Sequence, residues 1–162
     1  MPIATVLAQL DDAAHAEAVL SVLDSYARDP IGLGRPLAAD VRARLVPELR
    51  KRPNALILLA FDGAAPVGLA NCFFGFSSFA ARPLLNIHDL AVLPERRGQG
   101  IGRALLREAE RRARDADCCR LTLEVQESNE RARGLYRSFG FDDMELGGEI
   151  KRTFFLDKSL VD

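Results

Sequence analysis

The sequence predicts an α/β fold: a mixed, mostly antiparallel sheet of about seven strands covered by four helices, in a single domain over residues 1–162. Three observations carry this expectation. A strand–helix–strand run over residues 84–126 reads as a βαβ crossover, whose two strands must be parallel. Hairpins on either side, turning at Asp62-Gly63 and at Gly147-Gly148, are antiparallel. The length of 162 residues, 48% of them apolar, suits one domain with a substantial core.

The elements follow in order. "IATVLAQ" (3–9) reads as a short first strand, and Asp11-Asp12 supply N-cap chemistry for a helix to about Ala27. "RDPIGLGRP" (28–36) is a turn-rich loop. A second helix runs to about Lys51, and Pro47 is expected to kink or shorten it, because its ring removes a donor and crowds the preceding turn. "ALILLAF" (55–61) is a continuous apolar run, as a buried strand requires, and "PVGLANCFFGFSSF" (66–79) hairpins back on it. Phe73, Phe74, Phe76 and Phe79 in that strand read mostly as core. "LLNIHDLAVL" (84–93) is the next strand. The helix over 99–116 places Ile101, Leu105, Ala109, Ala113 and Ala116 on one face. "RLTLEVQ" (120–126) alternates as a strand, and Ser128-Asn129 cap a helix that ends before Gly140. Two last strands fall at about 141–146 and 150–156.

Composition narrows the function. A net charge of −1 gives no basic surface for nucleic acid and no signal for an anionic membrane. Cys72, Cys118 and Cys119 form neither a disulfide framework nor a metal-ligand pattern, so no metal is expected. The N-terminus lacks signal-peptide organisation and no apolar run reaches spanning length; a cytoplasmic protein is the expectation.

The chemistry concentrates in "PERRGQGIGRALLREAERRA" (94–113), which places glycines at 98, 100 and 102 where a helix must start. The first N–H groups of a helix have no intrahelical partner and sit at the positive end of its dipole. Glycines there let a phosphate come close. The loop fits neither a Walker A sequence, because Arg103 follows Gly102, nor the GxGxxG dinucleotide fingerprint. Arg97-Gly98-Gln99-Gly100-Ile101-Gly102 does match the R/Q-x-x-G-x-G/A signature, and so resembles the pyrophosphate loop of the GNAT superfamily of N-acetyltransferases. "NERARGLYRSFGF" (129–141) is similar to that family's N-x-x-A-x-x-L-Y-x-x-x-G-F segment, with Asn129, Ala132, Leu135, Tyr136, Gly140 and Phe141 in place. The likeness covers residues 55–156 well; the first 50 residues match only in element order.

The resemblance implies transfer of an acetyl group from acetyl-CoA to an amine by direct attack. It implies that strands 84–93 and 120–126 splay apart, that backbone around Leu90, Ala91 and Val92 binds the pantetheine arm, and that the N–H groups of Arg97, Gly98, Gln99, Gly100, Ile101, Gly102 and Arg103 hold the pyrophosphate. Asn129 would touch the cofactor and Tyr136 would serve as general acid at the sulfur. For the base the candidates are His88, an imidazole, the adjacent Asp89, and water with His88 merely packed at the sheet; simple alternation puts His88 and Asp89 on opposite faces unless a bulge intervenes. Arg103, Arg107, Arg111, Arg112 and Arg114 could steer the CoA 3′-phosphate, but most read as a solvated face interleaved with Glu108 and Glu110. The expected partners are acetyl-CoA and a primary amine, with no nucleic acid or membrane, and a homodimer is compatible with the family. A small-molecule acceptor is preferred to a protein N-terminus or lysine. The reading from another class is a non-catalytic acyl-CoA sensor.

Overall fold

A computed structural model describes residues 2–161. The elements are β1 (Ile3–Leu7), α1 (Ala13–Arg28), α2 (Ala39–Arg50), β2 (Ala55–Asp62), β3 (Ala65–Ser77), β4 (Arg82–Val92), α3 (Ile101–Asp115), β5 (Leu121–Leu123), α4 (Glu130–Phe139), β6 (Glu145–Leu146) and β7 (Glu149–Ile150). A short 3-10 turn, Pro94–Arg96, links β4 to α3. The main sheet has the order β1-β2-β3-β4-β5, antiparallel except for the parallel β4–β5 pair, as the crossover through α3 demands.

Local chemistry sets several boundaries. The Asp12 carboxylate accepts the N–H groups of Ala14 (2.8 Å) and His15 (3.0 Å) and so starts α1. Asn129 does the same for α4, accepting from Ala132 N–H at 3.2 Å, and Gly140 ends that helix at φ 112°. Pro47 lies inside α2, yet the helix continues to Arg50 rather than stopping short.

The sheet is filled from both faces. Ile101, Leu105 and Leu106 of α3 pack on Leu58, Val67 and Leu85. On the opposite face, Val19 and Val22 of α1 and Val46 of α2 pack on Leu59, Leu69 and Ala91. Ala116 caps α3 in an exposed position instead of extending its buried stripe. Phe76 and Phe79 also lie outside the core, 65% and 98% exposed, because β3 runs past its covering helices.

The C-terminal region departs from expectation in extent. The seven strands divide into five in the main sheet and two in a separate hairpin, β6–β7, with only two residues each. Residues 151–161 carry no regular structure, and Phe154, Phe155 and Leu156 are exposed. A tight turn at Gly147-Gly148 zips only its nearest residues when no sheet face lies beneath them. β5 is likewise shorter than 120–126, because its partner strand turns away after Ile87.

Candidate active site

The site begins where β4 loses a neighbour. Pairing with β5 runs through Leu85–Leu121, Asn86–Thr122 and Ile87–Leu123 and then stops, while β4 continues to Val92. Leu93 N–H bonds to Val67 carbonyl on β3 at 3.0 Å. Alternation therefore turns the polar backbone groups of Ala91 to β3 and those of Leu90 and Val92 into the gap. Arg97 Nε already uses that edge, donating to the Val92 carbonyl at 3.2 Å.

α3 opens onto the same gap. Gly98 and Gly100 adopt φ of 76° and 81°, a left-handed conformation that glycine reaches without cost, and no heavy atom lies within 4 Å of where their Cβ atoms would stand. Gly100 is the N-cap and offers no capping side chain. The helix bonds begin with Ala104 N–H to Gly100 carbonyl (3.0 Å), so the N–H groups of Ile101, Gly102 and Arg103 lack intrahelical partners. Gly102 differs, since a Cβ there would come within 2.9 Å of Leu135 Cδ2. Two glycines clear the loop, and the third lets α4 pack against α3.

α4 closes the third side. Asn129 and Tyr136 both face a cleft of about 280 Å³, together with Leu90, Ala91 and Val92 from β4. Arg97, Gly98, Gly100, Ile101, Gly102 and Arg103 line it from the α3 side. Gln99 does not: its side chain accepts from Arg96 Nε (3.2 Å) and donates to the Glu95 carbonyl (3.4 Å), outside the cleft. Tyr136 packs edge-on to Phe141 with ring centroids 5.8 Å apart. Burial, with a smaller contribution from Tyr26, pushes its phenol up to about 12, so the hydroxyl is protonated throughout the neutral range.

His88 and Asp89 lie beside the cleft rather than on its wall. The β3–β4 register shifts at Asn71/Cys72, so that Asn71 faces Asp89 while Cys72 faces Ile87, and His88 is the extra residue. Leu85 and Ile87 before this bulge, and Leu90 and Val92 after it, all face α3. Consecutive His88 and Asp89 are thereby both turned to the α1 face, against the opposite-face expectation from simple alternation. His88 is exposed and meets Phe73 edge-on at 5.7 Å. Asp89 accepts from Asn71 Nδ2 at 3.1 Å.

Motif reading missed four residues on the cleft wall: Tyr26, Asp29, Ile31 and Arg131. Asp29 forms a part-buried ion pair with Arg97 at 2.7 Å and accepts Ile31 N–H at 2.9 Å. The Ile31 N–H, then Arg97, hold its carboxyl below the usual range. Burial, then Asp89 and Asp29, raise the Tyr26 phenol. Arg96 pairs with Asp62, and Arg103 with Ser138 Oγ, whereas Arg131 makes no ion pair among the described residues. On the outer face of α3, Arg111 and Arg112 pair with Glu108 (2.6 and 2.8 Å) and Arg114 with Glu110 (2.5 Å), a solvated network as expected.

The Asp29–Arg97 pair ties the loop after α1 to the start of α3. Replacing Asp29 with alanine should raise hydrogen exchange at the amides of Ile31, Gly32 and Gly34, while protection in the middle of α1 stays unchanged. Unchanged exchange in the loop would show that the pair does not hold it.

The acetyltransferase (GNAT) family model matches residues 19–141 of this chain, a stretch that includes the free β4 edge, the start of α3 and α4. The chain belongs to the GNAT acetyltransferase family. Relatives of this GNAT protein include a Bacillus subtilis N-acetyltransferase named for the alanine of ribosomal protein bS18, 42% identical over 71 residues (44% of each chain). Another is the thialysine N-epsilon-acetyltransferase of Bos taurus, 35% identical over 83 residues (51% of this chain and 48% of the relative). The chain thus spans about half the length of the curated relatives it matches. The solved structure of AAC(6')-Iy in complex with the bisubstrate analog CoA-S-monomethyl-acetylneamine superposes with a TM-score of 0.76 at 15% identity, covering 98% of this chain and 99% of that one, which is agreement in fold.

Proposed function

We propose that this GNAT protein acetylates a primary amine with acetyl-CoA, taking a small-molecule acceptor, and that Tyr136 is its proton donor. The observation that carries the reading is convergence: the free β4 edge, the uncapped start of α3 and a half-buried neutral phenol face one cleft. The residues suit the co-substrate. Orphan N–H groups at Ile101, Gly102 and Arg103 present positive charge to a diphosphate, with open space at Gly98 and Gly100. Arg103 and Arg131 are cleft arginines with no competing ion pair among the described residues. Backbone groups of Leu90 and Val92 can take an extended amide-bearing arm as a further strand, and a donor among them can polarise the thioester carbonyl.

Acetyl-CoA supplies the acetyl group as a thioester; the amine nitrogen bonds to the carbonyl carbon and the carbon–sulfur bond breaks. The chain's residues manage the protons. Tyr136 donates a hydrogen bond to the departing sulfur. An ordinary thiol titrates near about 8.5, so full proton transfer from a phenol at about 12 is uphill in water. The burial that raises Tyr136 also destabilises a thiolate beside it, which favours transfer inside the filled cleft. His88, exposed beside Asp89, is the imidazole available to accept the ammonium proton.

Direct attack is supported by the wall: no Cys, Ser, Thr, Lys or His lines the cleft among the described residues, and its carboxylate, Asp29, is engaged in the ion pair with Arg97. Cys72 is buried in the core, where burial first and Asp89 second push its thiol up to about 12. Acid-quenched intact-mass spectra after mixing with acetyl-CoA should therefore show no acetylated enzyme. A stoichiometric 42 Da adduct, about the mass that acetyl for hydrogen requires, would refute direct attack.

The test of the function is acetyl-CoA-dependent product formation, by mass spectrometry, in a pool of polyamines, amino acids, aminoglycosides and alanine-ended peptides. An acetylated small amine supports the proposal. Acetylated peptide alone would favour a protein α-amine, the reading that the bS18-alanine likeness supports. Tight CoA binding without any product would favour an acyl-CoA sensor, which has no need of a half-buried phenol.

A further inference from the structure

Asn71 is the buried polar side chain of the described core, with only 6% of its surface exposed. It stands on β3 opposite Asp89, at the bulge that turns Asp89 toward α1. Its Nδ2 donates to Asp89 Oδ2 at 3.1 Å, and its Oδ1 is buried with no partner. An ionised carboxylate only accepts, so the amide must present its NH₂ to Asp89 and leave its oxygen orphaned on the other side. An orphaned buried acceptor costs stability, and apolar groups of the same shape in place of both Asn71 and Asp89 would remove that cost. Fold stability alone therefore does not explain the amide.

What the amide achieves is local. Asp89 is held by Asn71 on the face where Tyr26 lies, and Tyr26 reaches from α1 to the cleft wall that also holds Tyr136. Leu90, the residue after Asp89, already lines the cleft. We infer that Asn71 is a positioning residue that holds the Asp89 carboxylate as the receiver of the acceptor's ammonium group, with Tyr26 between that carboxylate and the cleft. The inference rests on the acetyl-transfer reading and deepens it: the acceptors are amines that arrive as cations. A carboxylate beside His88 divides the work, since Asp89 attracts the ammonium ion and the imidazole can take its proton. The bulge makes these adjacent residues share a face, which an unbroken strand would not allow.

The test compares wild type, Asn71→Leu, Asp89→Asn and the double variant, in steady-state acetylation of the polyamines and aminoglycosides of the same pool. Asn71→Leu is expected to raise the acceptor KM about tenfold or more. The Kd for CoA should stay within about twofold, and Tm should change little, since removing the orphaned oxygen offsets the donor that Asp89 loses. In the Asp89→Asn background the same substitution should add little, since its effect runs through Asp89. An unchanged KM or additive effects would each overturn the inference and leave a structural asparagine. No acetylation of any pool member by wild type would instead overturn the acetyl-transfer reading, and this inference with it.

Discussion

Replacing Tyr136 with phenylalanine is expected to lower kcat by about 10²- to 10³-fold while the Kd for CoA stays within about twofold. The ring is part of the packing: Tyr136 meets Phe141 edge-on at 5.8 Å and touches the α3-side core, contacts that phenylalanine keeps. Only the hydroxyl is lost, and with it the proposed donor to the departing sulfur. The pH dependence gives a second reading of the same change. A phenol pushed up to about 12 remains protonated as pH rises through the neutral and mildly alkaline range. Any alkaline limb below about pH 11 in the wild-type profile belongs to another group, so the variant should show the same profile shape at a lower height. Thiol release followed across pH measures both. Full turnover in the variant would remove Tyr136 from the mechanism and reopen the sensor reading.

Gly100→Val should weaken CoA binding by about 10²-fold, the loss of about 3 kcal/mol expected when two hydrogen bonds to a charged group are misplaced. Gly100 is the left-handed residue, φ 81°, from which the open N–H groups of Ile101, Gly102 and Arg103 begin. A β-branched side chain is strained there by roughly 1–2 kcal/mol and relieves the strain by shifting the first turn. Nothing lies within 4 Å of the new Cβ, so the core is untouched and Tm should drop by only a few degrees. Gly102→Ala is the informative contrast. Its Cβ meets the end of the Leu135 side chain at 2.9 Å, which can turn aside, so CoA affinity should stay within about twofold. Calorimetric titration of CoA separates the two variants. Equal affinities for Gly100→Val and wild type would mean that the diphosphate does not sit on this helix start.

How much of the site the chain displays in one dimension follows from how local each determinant is. The glycine positions, the N-caps at Asp12 and Asn129 and the buried stripe of α3 all act within one or two turns, and each is legible as a pattern. Gln99 is the exception inside the motif, since a repeat spacing does not say which way a loop side chain turns. Tyr26 and Asp29 left no pattern. Tyr26 reaches the cleft from the last turns of α1, and Asp29 because the loop after α1 folds back to Arg97, 68 residues later.

The crossover, the two-helix cleft and the family are written in the chain itself, because apolar period, capping and glycine placement act on neighbouring residues. Which face His88 and Asp89 occupy is set only in the assembled sheet. One extra residue in the β3–β4 register reverses alternation, and register is a property of two strands together. The assembled sheet also sets where β5 ends, since a strand lasts only as long as its partner stays alongside. The final hairpin, short and apart from the main sheet, obeys the same rule: β-propensity in residues 150–156 has no effect without an edge to pair with.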